Sequence, residues 1–498
     1  MKINFRLFKT LTSVFFLLCL ILNITTSKLK CSDPDFEEII DYSNIDWDEL
    51  DELDLNTTRN PDPINLEQLL VAAQQLNGPI WNYTKPPKGR DVLYLIPHKL
   101  LAIEYGGVVL NLFYNYTDNM AFTLDEILNL DNNERAFNTF IQAIKAELSA
   151  QEASSLMPLF KKSSIQERKG GGLIQFGFFT GPFIFQLNTS IQFSERNFWL
   201  NKKDREHIKS LFADTGDSLD TKEFYKYKIG MGDTRIKFGL NTLNMSNFVM
   251  DVGFEVIIPT SRISSIPRLK NYNIDLNNFD TGLVEALRSI RDNLITPRLG
   301  NGGHTGLGCY LETKVDLFHD SIHWWNRLSF DNFFVAQEDR LIASKQTMPS
   351  PQKDPASFLE IYNQYRNFNN PGPATEFIKQ FIFPPAYRVT VQPGGILNFV
   401  SAVTFGIGRK WNIGGGYDFF FQEAEKFDAI HEDVDPSSLR IEAAALPSSY
   451  QHKIFAEVNY IKKQNHWDLN LGLGGDYTIS SKRIGEDWTI FLRIGASF

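Results

Sequence analysis

The sequence predicts an all-β protein: one antiparallel transmembrane β-barrel of twelve or fourteen strands, with short turns at one end and long, partly helical loops at the other. Three observations predict it. Apolar and polar side chains alternate in segment after segment from about residue 92 to the last residue. The connections between segments alternate between short and long. The chain closes on a twelve-residue alternating strand, Asp487 to Phe498. Successive strand side chains point to opposite faces, so each segment carries one greasy side and one mostly polar side.

The elements follow in order. Lys2, Arg6 and Lys9 precede the apolar run Leu11 to Ile24, the pattern of a cleaved secretory signal peptide, assigned to residues 1–30. That run is short for a spanning helix, which needs about 20 apolar residues. Residues 31–78 form an extension whose first part is an acidic block, Asp33 to Asp54, that repels itself and suits a solvated linker or a plug. Ile64, Leu66, Leu69, Leu70 and Ala73 give it a short amphipathic helix. Residues 79–498 are assigned to the barrel, with 79–85 and 92–104 as the extra pair of strands if there are fourteen. Two cysteines, Cys31 and Cys309, remain after cleavage and allow one disulfide.

From residue 106 onward twelve strands are counted. Val108, Leu110, Leu112, Tyr114 and Tyr116 share a face, as do Phe248, Met250, Val252, Phe254, Val256 and Ile258. Leu469, Leu471, Leu473, Tyr477 and Ile479 oppose Asp468, Asn470, Asp476 and Thr478. The segments are longer than the usual soluble strand of about 5 to 6 residues and suit a tilted membrane strand of about 9 to 11. Tight connections fall at 181–182, 244–246, 319–320, 409–410 and 462–465. Long ones fall at 118–169, 194–228, 259–303, 335–394 and 423–449, and the shorter 480–486 falls on their side. Apolar stripes at Phe137 to Leu148 and Leu283 to Leu294 predict helices in two long loops, the second stopping at Thr296-Pro297.

The final strand carries a resemblance. Trp488, Ile490, Leu492, Ile494 and Phe498 share one face, opposite Asp487, Thr489, Arg493 and Ser497, with Phe491 breaking the polar side. This resembles the carboxy-terminal assembly signal of bacterial outer-membrane β-barrels. The resemblance implies export to the outer membrane, outer-membrane lipid around the barrel, insertion by the barrel-assembly machinery, short periplasmic turns and long extracellular loops. Trp324, Trp411 and Trp467 then each follow a periplasmic turn, as an interfacial aromatic girdle requires.

A narrower match lies at Gly230-Met231-Gly232-Asp233, read as a strand start, and Pro259-Thr260-Ser261, read as a strand end. It resembles the outer-membrane proteins linked to phenol-degradation pathways, which are similar to fatty-acid and hydrocarbon channels, and departs from them at Ser261, where glycine is usual. It implies passive uptake of small, often hydrophobic molecules.

On the predicted barrel, Arg235, Lys237, Asp251, Glu255, Glu312, Lys314, Arg327, Asp331, Asp418, Glu457, Asp468, Asp476 and Arg493 point inward. A charge facing lipid at mid-membrane costs about 2 to 4 kcal/mol, so these side chains need water or partners. They brace the wall as ion pairs or line a polar pore. No catalytic set is legible: HExxH, G-x-S-x-G and the phosphate-cradling loop are missing, and Ser401 with His466 lacks supporting spacing. His319 and His323 have helical spacing at a predicted turn, and no metal or cofactor is expected. The net charge of −9 argues against nucleic acid. Asn-x-Ser/Thr triplets begin at Asn56, Asn82, Asn115, Asn188 and Asn244. The expected function is an outer-membrane channel for passive passage of small solutes. The alternatives are a structural or adhesive barrel with a filled lumen, and a soluble secreted β-sandwich.

Overall fold

In the structure, a computed structural model, the described residues are 85–96, 106–118 and 164–497, with scattered positions between 120 and 158. Positions 199–201, 212–224, 262–268, 270–288, 318–320, 346–383, 409 and 465–466 lie outside them. All described residues belong to one unit, Asp62–Phe498. The signal peptide, the acidic extension, the helix at 64–76 and the stripe at 137–148 fall outside the described residues.

The wall is built from β1 (Gly106–Asp118), β2 (Ile165–Thr180), β3 (Phe183–Phe198), β4 (Tyr225–Met245), β5 (Phe248–Ile258), β6 (Gly306–Leu317) and β7 (Ile322–Phe333). After two short strands, β8 (Ala336–Leu341) and β9 (Ala386–Gln392), it resumes with β10 (Ile396–Ile407) and β11 (Trp411–Gln422). Another short strand, β12 (Lys426–Ile430), precedes β13 (Ser449–Lys463), β14 (Asp468–Lys482) and β15 (Glu486–Ser497). Twelve of these strands close an antiparallel barrel in which each pairs with its neighbour along the chain, the short ones excepted. The seam joins β1 to β15, from Gly107 opposite Ser497 to Asp118 opposite Glu486. Closure leaves no unpaired edge, which a wall surrounded by hydrocarbon requires.

The alternation decides which face meets which solvent. Leu471, Leu473, Tyr477, Ile479, Ile490, Leu492 and Ile494 are exposed on the outside, Leu473 to 60%. Asp487, Thr489 and Arg493 on the same strands are buried. Such an exposed apolar band around a closed barrel is a lipid-facing surface, and the protein is a transmembrane β-barrel of the outer-membrane type. A soluble sandwich is excluded, because two stacked sheets would bury this band.

Except for 483–485, which joins β14 to β15 at the opposite end, the short turns gather at one end. The wall strands connect there through 181–182, 246–247, 318–321, 408–410 and 464–467. Gly181 and Gly408 take the left-handed conformation that such tight turns need, with φ of 57° and 64°. Trp324, Trp411 and Trp467 are all exposed near that end. At the loop end β8, β9 and β12 form a separate three-stranded sheet, order β12-β9-β8, where the sequence predicted only long, partly helical loops. The alternation Tyr387, Val389, Val391 was its signal; Val389 and Val391 are buried with Ile342, Leu439 and Ala444. Residues 289–295 are helical and end before Thr296-Pro297, as the sequence pattern predicts.

Three further expectations are corrected. Val92–Leu95 is a helical turn, not part of a strand over 92–104: Asp91 caps it, its side chain accepting from the Leu93 amide at 2.8 Å. Cys309 is free and exposed on the lipid-facing side of β6, so it is not half of a disulfide. Gly230 does not begin a strand, because β4 starts at Tyr225 and runs through the motif with a shift of register.

Candidate functional site

The lumen is where the polar faces converge, and residues 85–96 lie inside it. Val92, Leu93, Leu95 and Ile96 are each 1% exposed. They share an apolar cluster with Phe113, Leu173, Ile257, Phe333, Ile396, Phe420 and Phe491 from around the wall. This accounts for Phe491, the apolar residue on the polar side of the last strand: it faces the plug. Each such aliphatic side chain contributes about 1.5 to 3 kcal/mol by burial.

Polar contacts fix the plug's orientation. Arg90 reaches Asp418 at 2.5 Å and Gln451 at 3.3 Å, and its guanidinium lies over the Phe420 ring, 4.9 Å from the centroid. The Lys169 ammonium donates to the Arg90 carbonyl at 2.9 Å. The Tyr94 hydroxyl donates to Asp331 at 2.6 Å, and the Arg235 guanidinium stacks 4.4 Å from the Tyr94 ring centroid. No single wall strand holds the segment; β2, β4, β7, β11 and β13 each supply a contact.

Around the plug, charges on the inner face of the wall neutralise one another, several of them between strands that are not neighbours. Arg235 pairs with Asp331 at 3.2 Å and with Glu255 at 3.6 Å, and Arg327 pairs with Glu255 at 3.1 Å. Lys453 meets Asp476 at 2.9 Å and Asp487 at 2.6 Å. Arg493 pairs with Glu457 at 2.9 Å and donates to Asn111 at 3.0 Å, across the seam. Glu167 serves both Lys169 and Arg196, at 2.9 and 3.0 Å. Glu312 accepts from the Trp325 indole at 2.7 Å, and Lys237 lies over the Tyr310 ring. A buried charge costs heavily unless paired in this way.

The residues named from sequence are therefore placed as follows. Arg235, Lys237, Glu255, Glu312, Arg327, Asp331, Asp418, Glu457, Asp476 and Arg493 are buried on the polar face of the wall. Asp251 and Asp468 are half-buried. Lys314 is 39% exposed and pairs with Asp316 near the turn end, where His323 also meets Asp316, so His323 has a carboxylate neighbour. His319, His466 and Phe498 lie outside the described residues. Asn115 and Asn188 are buried on the polar face, Asn115 donating to Asp487 and Thr489, so neither offers a glycan a surface. Ser401 donates to Asn326 and accepts from the Trp324 indole.

The Gly-Asp motif turns out to fasten a loop. Asp233 is buried; one oxygen accepts from the Ser261 hydroxyl at 2.5 Å and the other from the Asn301 amide at 2.8 Å. Thr260 donates to the Gly232 carbonyl at 2.6 Å. A side chain at Gly232 would collide with the Ser190 hydroxyl, 2.2 Å from its Cβ, and displace the Ser190 and Gln192 side chains. Ser261, the departure from the resembled pattern, supplies a hydrogen bond here. The motif pins residues 299–301 over the loop end of the lumen.

Sequence reasoning named most of these charges, and offered the acidic extension rather than residues 85–96 as a plug. Arg90, Asp91 and Tyr94 stand in a stretch whose apolar content reads equally as strand or helix, since a short apolar run has no decisive period.

No protein-family model and no curated protein matches the chain. Among solved structures, an outer membrane channel from Pseudomonas putida F1 is 9% identical, with a TM-score of 0.40, covering 81% of this chain and all of that one (100%). The toluene transporter of Ralstonia pickettii is 7% identical, with a TM-score of 0.34 over 79% of this chain and 90% of that one. The translocator domain of an autotransporter from Neisseria meningitidis is 5% identical, with a TM-score of 0.32 over 81% and 90%.

Proposed function

We propose that the protein is a channel of the bacterial outer membrane whose lumen is closed by residues 85–96, and that small solutes pass when this segment moves. The turn end faces the periplasm and the loop end the exterior, with the strand residues Trp488, Ile490, Leu492 and Ile494 and the terminal Phe498 read by the barrel-assembly machinery. The observation that carries the reading is the composition of the lumen. A barrel that served only as a wall would be most stable with an apolar filling, because well-packed hydrophobic residues replace buried ion pairs at no loss or at a gain. This lumen instead keeps charges around a segment that is not part of the wall. The lining charges named above would be the pore walls once the segment leaves. They favour polar solutes over the hydrophobic ones that the sequence resemblance implies.

The filled barrel is the second reading, favoured by the four aliphatic plug residues buried in the lumen cluster. Planar-bilayer conductance separates the two. The full chain should show small or rare openings, and a variant lacking residues 85–96 should conduct several-fold more. If the deletion variant inserts, shows heat-modifiable migration and still passes no current, the channel reading fails and the filled barrel stands.

A further inference from the structure

Between the plug and the loops of the loop end lies a cavity of about 90 Å³. That is room for about three waters, since each takes about 30 Å³ in the liquid. Its charged lining is lopsided: Lys88, Arg90, Lys169, Arg196 and Arg298 against Asp91 and Glu425. Four of the five cations are committed elsewhere. Arg90 is held by Asp418, Lys169 and Arg196 share Glu167, and Arg298 reaches Glu338 at 3.2 Å.

Lys88 is not committed. Its ammonium nitrogen is buried and has no hydrogen-bond or ion-pair partner among the described residues. A primary ammonium carries three donors and no acceptor, so the missing partner must be an acceptor, and a negative one if the charge is to persist. Burial, opposed by Glu425 and assisted by Arg298, pushes its pKa down to about 8. Asp91 does not answer it: one oxygen is taken by the Leu93 amide, and the other is itself without a partner.

We infer that this cavity binds a small free oxyanion of phosphate or sulfate size, seated on Lys88 and Arg298 and fastening the plug to the outer loops. The lining comes from both sides of that junction: Pro87 to Asp91 from the plug, Arg298 to Asn301 and Leu446 from the loops. An ion there bridges the plug and the outer loops. Its lining comes from the plug, the inner face of the wall and the loop end and includes none of the lipid-facing side chains, which favours a free ion over a lipid headgroup.

The test is calorimetric titration of the purified full chain in detergent with inorganic phosphate, and separately with sulfate, at constant ionic strength in chloride. Saturable binding is expected with the native chain. Lys88→Met, which keeps the length and removes the charge, should weaken it at least tenfold, and Lys88→Arg should keep it within a few-fold. Heat-modifiable migration of each variant confirms that the barrel is folded. Absence of saturable binding to the native chain overturns the inference, the cavity then holding water between Lys88 and Asp91; so does equal binding by Lys88→Met. Because the readout is binding in detergent, it is independent of whether the barrel conducts.

Discussion

Single side chains show how sharply the two faces differ. Leu473 looks outward from β14 and is mostly exposed, whereas Asp476 on the same strand is buried beside Lys453. Leu473→Arg should therefore cost about 2 to 4 kcal/mol if the residue sits near the bilayer midplane. The check is the urea midpoint of barrels refolded into lipid vesicles, which should fall. An unchanged midpoint would mean that Leu473 is not in lipid. Inside the wall the sensitive residue is Arg235, which sits between Glu255 and Asp331 and beneath Tyr94. Arg235→Ala leaves Asp331 without its cation while Glu255 keeps Arg327, and breaking a buried pair costs about 3 to 5 kcal/mol. The temperature at which the compact band converts to the unfolded one on a gel should drop markedly. Asp331→Asn in the same background should recover part of the loss, because it removes the stranded charge.

At the scale of elements, the loop end owes its order to one buried carboxylate. Glu338 on β8 accepts from Arg298 and meets Arg340 at 2.9 Å and His304 at 2.9 Å, and Arg340 passes on to Glu425 beside β12. Burial by itself would raise the Glu338 carboxyl, but Arg298 and Arg340 outweigh it and hold the group well below the ordinary carboxylate range. A depressed pKa contributes stability above the unfolded value, near 4.5, and the contribution disappears only as pH falls through the lower folded value. The outer sheet should thus stay protected in amide hydrogen exchange from pH 7 down to about 4.5. Glu338→Gln should lose that protection throughout the range.

The same scale shows what the sequence could reveal. Wall strands were legible because one face meets lipid and the other polar groups, which writes a period of two into segments such as Leu469 to Ile479. Turns were legible from length alone. The outer sheet was not, since β8, β9 and β12 are only 6, 7 and 5 residues long and pair across long stretches of chain. For the plug, Arg90 and Tyr94 find their partners 328 and 237 residues away, and no local pattern encodes such a meeting. Lys88 offered no signal either, because its distinction is the partner it lacks.

For the whole molecule, the ring closes where the first wall strand meets the last, with Gly107 lying opposite Ser497. Zipping that seam brings together ends some 390 positions apart, whereas every other wall pairing joins strands that follow one another in the wall. Entropy grows only slowly with the length of the closed stretch, but two strands so distant cannot nucleate until those between them have arranged themselves. The segment that fills the ring is attached directly ahead of the first wall strand. During biogenesis it is therefore synthesised and exported before any wall exists, and it either waits in place while the sheet curls around it or threads a completed ring from below. The Arg493 contacts with Asn111 across the seam and Glu457 two strands away mark where that late zippering is locked.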